Sequence, residues 1–436
     1  MTNILILIAD ALRPDHLSCY GYSKKTSPNI DKLASEGVLF ENAIAHGNHT
    51  LTGVTSILTG LYPTTHSLDS PQNYKNWDKL WEDKKTPLNF LSEKGFSVAG
   101  QDKWAYGRLG YDINVKNPVV FFREYKDFNF FLWFRLETTH LPYNPKSPYD
   151  TMFLPKDYKI DKDAEERINQ VRTKSIIHKP GLISQVESGM KNVIEPPDEE
   201  TRKKYPREVG IVTFLPEDKV YIDALYDGKV KTLDDIIGEY IEELKSVGIF
   251  DDTIIVFTSD HGEALLERGA LGHSSCSLEG TLYDENIKIP LIIRYPKSIP
   301  IGKKIKKQVS QVDVMPTIFE ILDLDLGLVF EGRSLFGLMN GKDLNWIEET
   351  YAETIPCGWQ VTKGDVRRIW AVRTGDWKLI YYDFNENKAG RYYELFNLAS
   401  DPWETINLLE GEKEKFNYLK ERLDKWINTM VSFDVV

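Results

Sequence analysis

Two apolar runs in this chain end in groups that can do chemistry. Asn3-Ile-Leu-Ile-Leu-Ile-Ala9 runs into Asp10, and Thr253-Ile-Ile-Val-Phe-Thr-Ser259 runs into Asp260-His261-Gly262-Glu263. Short β-branched runs bounded in this way read as buried strands. In α/β sheets the reacting groups gather just beyond the carboxyl ends of strands. Two carboxylates and an imidazole delivered to one sheet edge suit a divalent cation. A metal-centred hydrolase is therefore the leading expectation.

Strands and helices that could build such an edge alternate over roughly the first three-quarters of the chain. Ser27, Pro28 and Gly37 have the residue types of an N-cap, a first helical position and a C-terminal stop, and they bracket a helix. Phe96–Ala99, Phe128–Phe134 and Leu291–Arg294 read as further strands, with the aromatic run Phe128–Phe134 expected in the core. Between Val230 and Val247 apolar residues recur at helical spacing, just ahead of the Thr253 strand. That rhythm predicts a βαβ-like, mostly parallel sheet. From about Pro142 to Pro216 the pattern dissolves into Lys, Glu, Asp and Pro, which reads as a capping insertion or a solvated excursion. After about Trp346, Ile369–Arg373, Trp377–Tyr382 and Arg391–Phe396 read as antiparallel strands, followed by a helix over about Glu412–Met430. The expected division is a catalytic domain over 1–345, with the possible insertion at 142–216, and a C-terminal antiparallel-sheet subdomain with a terminal helix over 346–436.

The 436 residues suffice for a large core, and 41% hydrophobic with 28% charged residues is ordinary for a globular protein. A formal charge of −12 argues against a nucleic-acid or anionic-membrane surface. An anionic substrate would have to be drawn in by local charge such as a metal. The three scattered cysteines, Cys19, Cys276 and Cys357, read as buried thiols in a reducing compartment. The apolar N-terminal stretch lacks a basic flank and is too short for a secretory signal. No stretch approaches the ~20 apolar residues of a membrane span. The expected location is cytoplasmic.

Taken together, the motifs resemble the sulfatase family of the alkaline phosphatase superfamily over nearly the whole length. Asp10-Ala-Leu-Arg13 through Tyr20-Gly-Tyr22 resembles its first metal-ligand segment, and Ser27–Leu33 the helix that follows. Leu225-Tyr-Asp-Gly228 through Asp235, Thr258-Ser-Asp-His-Gly-Glu263, Val312–Thr317, Gly332–Leu335 and Leu395–Pro402 are similar to later landmarks, in the same order. The resemblance implies an alkaline-phosphatase-like three-layer α/β sandwich with a small C-terminal α+β subdomain.

The nucleophile segment departs from the sulfatase pattern. Sulfatases carry Cys or Ser followed by any residue, Pro, Ser and Arg, and oxidise that first residue to formylglycine. Here the aligned stretch is Thr50-Leu-Thr-Gly53-Val54 through Gly60. Threonine cannot give the aldehyde, because its carbinol carbon bears a methyl group. The resemblance therefore points to the threonine branch, similar to phosphodiesterases and phosphonate monoester hydrolases. Coordination by a divalent ion makes a threonine hydroxyl easier to ionise. A helix from Leu51 to Thr59 would set Thr50 at a positive helix end. A plain helix cap is the alternative role for Thr50, and Thr52, Thr55 or Ser56 would be the nucleophile in another register.

Carried over residue by residue, the resemblance implies metal ligands Asp10, Thr50, Asp260 and His261. They would hold one Mn, Zn, Ca or Mg ion per chain. Ala11 stands where sulfatases place a second Asp, which leans away from calcium. His273 and Asp227 are the candidates for a second ion. Lys103 resembles the lysine that binds ester oxygens. His140, in a His-x-Pro-Tyr-like element, and His273 resemble groups that act on the phosphoryl oxygens or the leaving group. Each could instead be structural. The His46/His49 pair beside Thr50 reads as incidental, and His16, His66 and His178 as structural or solvent-exposed. Arg13 reads as a brace of the Asp10 loop, with substrate contact as the alternative, and Asp15 as a turn cap that could also reach the site.

The expected activity is hydrolysis of a small anionic phosphate mono- or diester through a phospho-Thr50 intermediate. The alternatives are a sulfate-ester hydrolase working without formylglycine, and an inactive binding protein on the same fold.

Overall fold

A computed structural model describes residues 2–66, 85–101, 109–178, 209–274, 281–324, 327–342, 345–355, 368–383 and 390–431. The first half supplies β1 (Asn3–Ala9), β2 (Val38–Ile44), β3 (Ser97–Gly100), β4 (Ile113–Asn114) and β5 (Phe130–Leu136). After the short pair β6 (Ile176–His178) and β7 (Val209–Ile211) come β8 (Thr253–Ser259), a two-residue pair β9 (Ala264–Leu265) and β10 (Leu271–Gly272), β11 (Lys288–Arg294) and β12 (Lys303–Ser310).

Eight of these form one sheet in the order β12-β2-β11-β8-β1-β5-β3-β4. Strand β11 runs antiparallel to both its neighbours, and every other pairing is parallel. The expected mostly parallel sheet is therefore present.

Strand β1 is buried along its whole length because both of its faces are covered. Leu5, Leu7 and Ala9 pack with Ile222, Leu225 and Leu233 of the long helix Asp218–Ser246. Ile4, Ile6 and Ile8 face the other way, toward Leu51, Val54 and Ile57 of the helix Thr50–Thr59. The period-2 alternation of a strand thus divides one apolar run between two cores, giving three layers.

Two sequence expectations shift. The aromatic strand starts at Phe130, and Phe128 is 57% exposed, because it sits in the turn before the strand. The stretch from 142 to 216 contains a helix, Lys162–Thr173, capped by Asp161 accepting from Ala164 N. Only Ala164, Ile168 and Val171 are buried there, too sparse a stripe to stand out among charges.

The last sheet is antiparallel, β13 (Glu349–Thr354), β14 (Arg368–Thr374), β15 (Trp377–Asp383) and β16 (Arg391–Asn397) in sequence order. Helix Lys413–Val431 covers one face through Leu419, Leu423 and Trp426, while Ala371, Ile380 and Phe396 pack on Ile44, Leu282 and Ile287. Lys378, wholly buried, ties β15 to the main body through Asp284 at 2.6 Å and to the chain beyond the last strand through Glu404 at 2.7 Å. Among the described residues no helix is long and apolar enough to cross a membrane.

Candidate metal-centred active site

Register brings the two strand ends together. Strands β1 and β8 pair in parallel from Asn3↔Thr253 to Ala9↔Ser259, so Asp10 and Asp260 leave the sheet side by side. The turn after β1 is closed by side chains of the β8 end. Ala11 N donates to Asp260 Oδ1 at 3.1 Å, and Leu12 N donates to Ser259 Oγ at 2.9 Å. Ala11 adopts φ +58°, a left-handed conformation that costs a residue with a Cβ about 1 kcal/mol. It is held there by that bond and by the Tyr226 hydroxyl donating to its carbonyl.

Helix Thr50–Thr59 supplies the third side. His49, not Thr50, is its N-cap, accepting from Thr52 N at 3.3 Å, and Thr50 is the first helical residue. Thr50 Oγ1 lies 3.4 Å from Asp10 Oδ1 and 3.4 Å from His261 Nε2, which is itself 3.6 Å from Asp10 Oδ1. Gly53 lets the helix come this close, since a Cβ there would sit 2.2 Å from the Asp260 carbonyl oxygen. The Gly at this position is therefore a packing requirement. Gly53→Ala should cost about 1–3 kcal/mol by overpacking and displace Asp260. Melting curves together with metal titration would check both effects.

The donor set fits a divalent cation. Ligand atoms of Asp10, Asp260 and His261, all buried, lie within 4.8 Å of one another. Atoms about 2.1 Å from one ion stand roughly 3–3.5 Å apart, close to the spacing of Asp10, Thr50 and His261. His261 Nδ1 is 2.7 Å from the Gly262 carbonyl, which can only accept, so Nε2 presents a lone pair to the cluster. Asp260 Oδ2 is buried with no hydrogen-bond partner among the described residues, which is costly unless a cation satisfies it. Burial pushes the Asp10 carboxyl up, but His140, Arg135, His261 and the Thr50 hydroxyl outweigh it and hold it below the usual range. Burial raises Asp260.

His273 and His140 stand beside this cluster. The His273 ring centroid is 4.2 Å from that of His261 and 5.0 Å from that of His140. Asp10, Asp260, His261 and His273 are buried, whereas Thr50 and His140 are partly exposed, so solvent reaches the cluster past these two. Lys103 falls outside the described residues, as do Cys276 and Cys357.

Asp227, the other second-ion candidate, is not free to ligate. Its carboxylate is taken by His16 Nδ1 (2.8 Å), Tyr22 Oη (2.9 Å) and Lys24 Nζ (2.8 Å). Arg13 braces the loop as expected, pairing with Asp15 and Glu267 at 2.6 Å each and donating to the Glu263 carbonyl.

His46 and His49 are engaged elsewhere. His46 Nδ1 donates to Tyr351 O, and its ring lies against Tyr62. Burial lowers His46 to about 4 and His66 to about 3. Both stay neutral in the fold where the unfolded chain would bind a proton, so stability is full above pH 6.5 and falls as pH drops toward 4. For His46 this amounts to about 2 kcal/mol at pH 5. Chemical denaturation between pH 7 and 5 should show a shallower loss in His46→Phe.

Sequence reasoning missed three supports. Arg135 pairs with Asp10 Oδ2 and with Glu137, and it is the one cation in the buried strand Phe130–Leu136. A buried arginine demands a carboxylate, and that was its available signal. Gln311 Nε2 donates to the carbonyls of Ser259 (3.1 Å) and Asp260 (2.9 Å). Glu263 stands inside the motif quoted for Asp260, yet nothing in the linear sequence marks its partners.

The chain is similar to known proteins over nearly its whole length. Residues 2–324 match the family model described as Sulfatase, and residues 279–431 match that described as N-sulphoglucosamine sulphohydrolase, C-terminal. An N-acetylglucosamine-6-O-sulfatase of Bacteroides thetaiotaomicron is 23% identical, over 96% of this chain and 84% of the relative. An arylsulfatase of Clostridium perfringens is 24% identical, over 97% and 94%. Among solved structures, one in complex with its substrate D-glucosamine-2-N,6-O-disulfate superposes with a TM-score of 0.72 at 20% identity, covering 99% of this chain and 98% of that one. A phosphonate monoester hydrolase of Agrobacterium radiobacter gives 0.68 at 20% identity, covering 100% and 95%.

Proposed function

The chain belongs to the sulfatase family, and from that premise we propose that it is a metal-dependent hydrolase of small anionic esters in which the Thr50 hydroxyl is the nucleophile. The observation that carries this is the position of Thr50 Oγ1, 3.4 Å from both Asp10 Oδ1 and His261 Nε2 at the start of a helix. Asp10, Asp260, His261 and Thr50 would hold the ion. A divalent ion so held supplies a lowered hydroxyl pKa and neutralises ester oxygens.

The chain's own groups do the rest. Thr50 Oγ1 gives up its proton to solvent and forms the new bond to the central atom in line with the departing oxygen. The positive end of the Thr50–Thr59 helix favours the incoming anion. His140 or His273 gives a proton to the leaving oxygen as its bond breaks, and Lys103 binds the ester oxygens. Water then cleaves the ester on Thr50 and restores the hydroxyl.

Phosphate esters are the substrates this nucleophile can turn over, because water can attack a phospho-threonine directly. A sulfated threonine has no hemiacetal with which to expel sulfate. Sulfate esters are the second reading, and the names of the relatives weigh toward it, since both span nearly the whole chain and are called sulfatases.

The deciding experiment strips the protein of metal and reloads it separately with Mn, Zn, Ca or Mg. Rates on bis(4-nitrophenyl) phosphate, 4-nitrophenyl phosphate and 4-nitrophenyl sulfate are then compared. Metal-dependent phosphate-ester turnover is the expected result. A strong preference for the sulfate would reverse the ranking, and silence on all three would favour a binding role.

A further inference from the structure

One wholly enclosed polar group near the cluster has no role in the reading above. The Glu263 side chain is wholly buried. Its Oε2 accepts from the Tyr143 hydroxyl at 2.9 Å, and its Oε1 lies 2.8 Å from His273 Nδ1. Its backbone is clamped as well, with N donating to Glu285 O at 2.7 Å and O accepting from Arg13 Nη1 at 3.1 Å. A buried carboxyl group is costly unless its bonds are well made, and here one oxygen is held by Tyr143 while the other meets the Nδ1 edge of an imidazole. The centroid of that ring is 4.2 Å from that of His261 and 5.0 Å from that of the partly exposed His140.

We propose that Glu263 is a positioning residue for the leaving-group proton. Pinned by Tyr143, it fixes the Nδ1 edge of His273 and so presents Nε2 to the departing oxygen of an alkyl or sugar ester. This rests on the hydrolase reading and deepens it. One proton passes from His273 Nε2 to the ester oxygen as that oxygen's bond to the central atom breaks and the electron pair moves onto the oxygen. The proton on Nδ1 stays shared with Glu263. Such a device matters only when the leaving group is a strongly basic alkoxide, because a nitrophenolate departs unaided. The substrate class it implies is an ester of an aliphatic hydroxyl.

The test compares benzyl phosphate and benzyl sulfate with their 4-nitrophenyl counterparts, using the metal-loaded protein. Glu263→Leu keeps the volume and removes the acceptor, and it should lower kcat on the benzyl ester about 100-fold. The 4-nitrophenyl ester should change less than about fivefold, with KM held on both. Glu263→Gln, which keeps an oxygen opposite Nδ1, should recover the benzyl ester to within about tenfold. His273→Ala should lower kcat on the benzyl ester at least as far as Glu263→Leu does, and combining the two should lower it no further, as for residues acting in one unit. If Glu263→Leu fails to fold, Tyr143→Phe should show the same pattern more weakly. An equal fall on both leaving groups, or no change on either, would overturn the positioning role while leaving the hydrolase reading intact. No wild-type turnover of any of the four esters would overturn both.

Discussion

Thr50→Ala should reduce turnover of the best ester by at least about 10⁴-fold, the scale on which enzymes lose activity when a nucleophile is removed. The melting temperature should hardly move. Thr50 occupies the first helical position, where its N–H has no intrahelical acceptor to lose, and the cap is made by His49. The side chain is partly exposed, so truncating it leaves no sealed cavity. Thr50→Ser keeps an oxygen at the same corner of the Asp10–His261 pair and should retain activity to within about tenfold. This pairing separates a nucleophile from a helix-end residue, because a structural role would let alanine through. Thr52, the runner-up in another register, has its hydroxyl 3.0 Å from His49 Nε2 and is committed to the cap. Thr50→Ala with more than a tenth of wild-type activity would sink the mechanism.

Metal titration of the stripped protein by calorimetry should saturate at one ion per chain, and Asp260→Ala should weaken binding more than about 100-fold. Replacing even an outer partner of a ligand commonly costs 10–100-fold in affinity, and Asp260 offers a buried oxygen with no other partner among the described residues. One ion is expected because Asp10, Asp260 and His261 are the single such cluster among the described residues. Asp227 is already saturated by His16, Tyr22 and Lys24. Since the ligands converge only in the folded chain, metal at 100 times Kd should add about 2.7 kcal/mol of stability. Asp260→Ala should lose that increment. A stripped protein that binds no divalent ion, or a variant that binds it as tightly as wild type, would move weight to the inactive binding reading.

Much of this site was legible before any fold was known. An apolar run that stops at an acidic residue is a local signal, so Asp10 and Asp260-His261 stood out from residue types alone. Gly60 likewise marked the end of the Thr50 helix, where it takes φ +71°. The linear chain could not show which strands are neighbours. The β1–β8 register that abuts Asp10 and Asp260 joins residues 250 positions apart and depends on pairing energy summed over seven residues. Resemblance to a family, rather than pattern, singled out Thr50, because a threonine at a helix start is chemically unremarkable until its neighbours are known.

What the sequence by itself determined is therefore the class of chemistry, carried by residue types at strand and helix ends, together with the parallel-sheet architecture implied by its apolar periods. Only the tertiary structure decided the supports, namely Arg135 on Asp10, Gln311 under the β8 end, and Glu263 with Tyr143 behind His273. The reason is physical. A catalytic type is a property of one side chain, whereas a hydrogen bond in a buried network needs two groups within about 3 Å, and that distance exists only after long-range packing has closed the chain on itself.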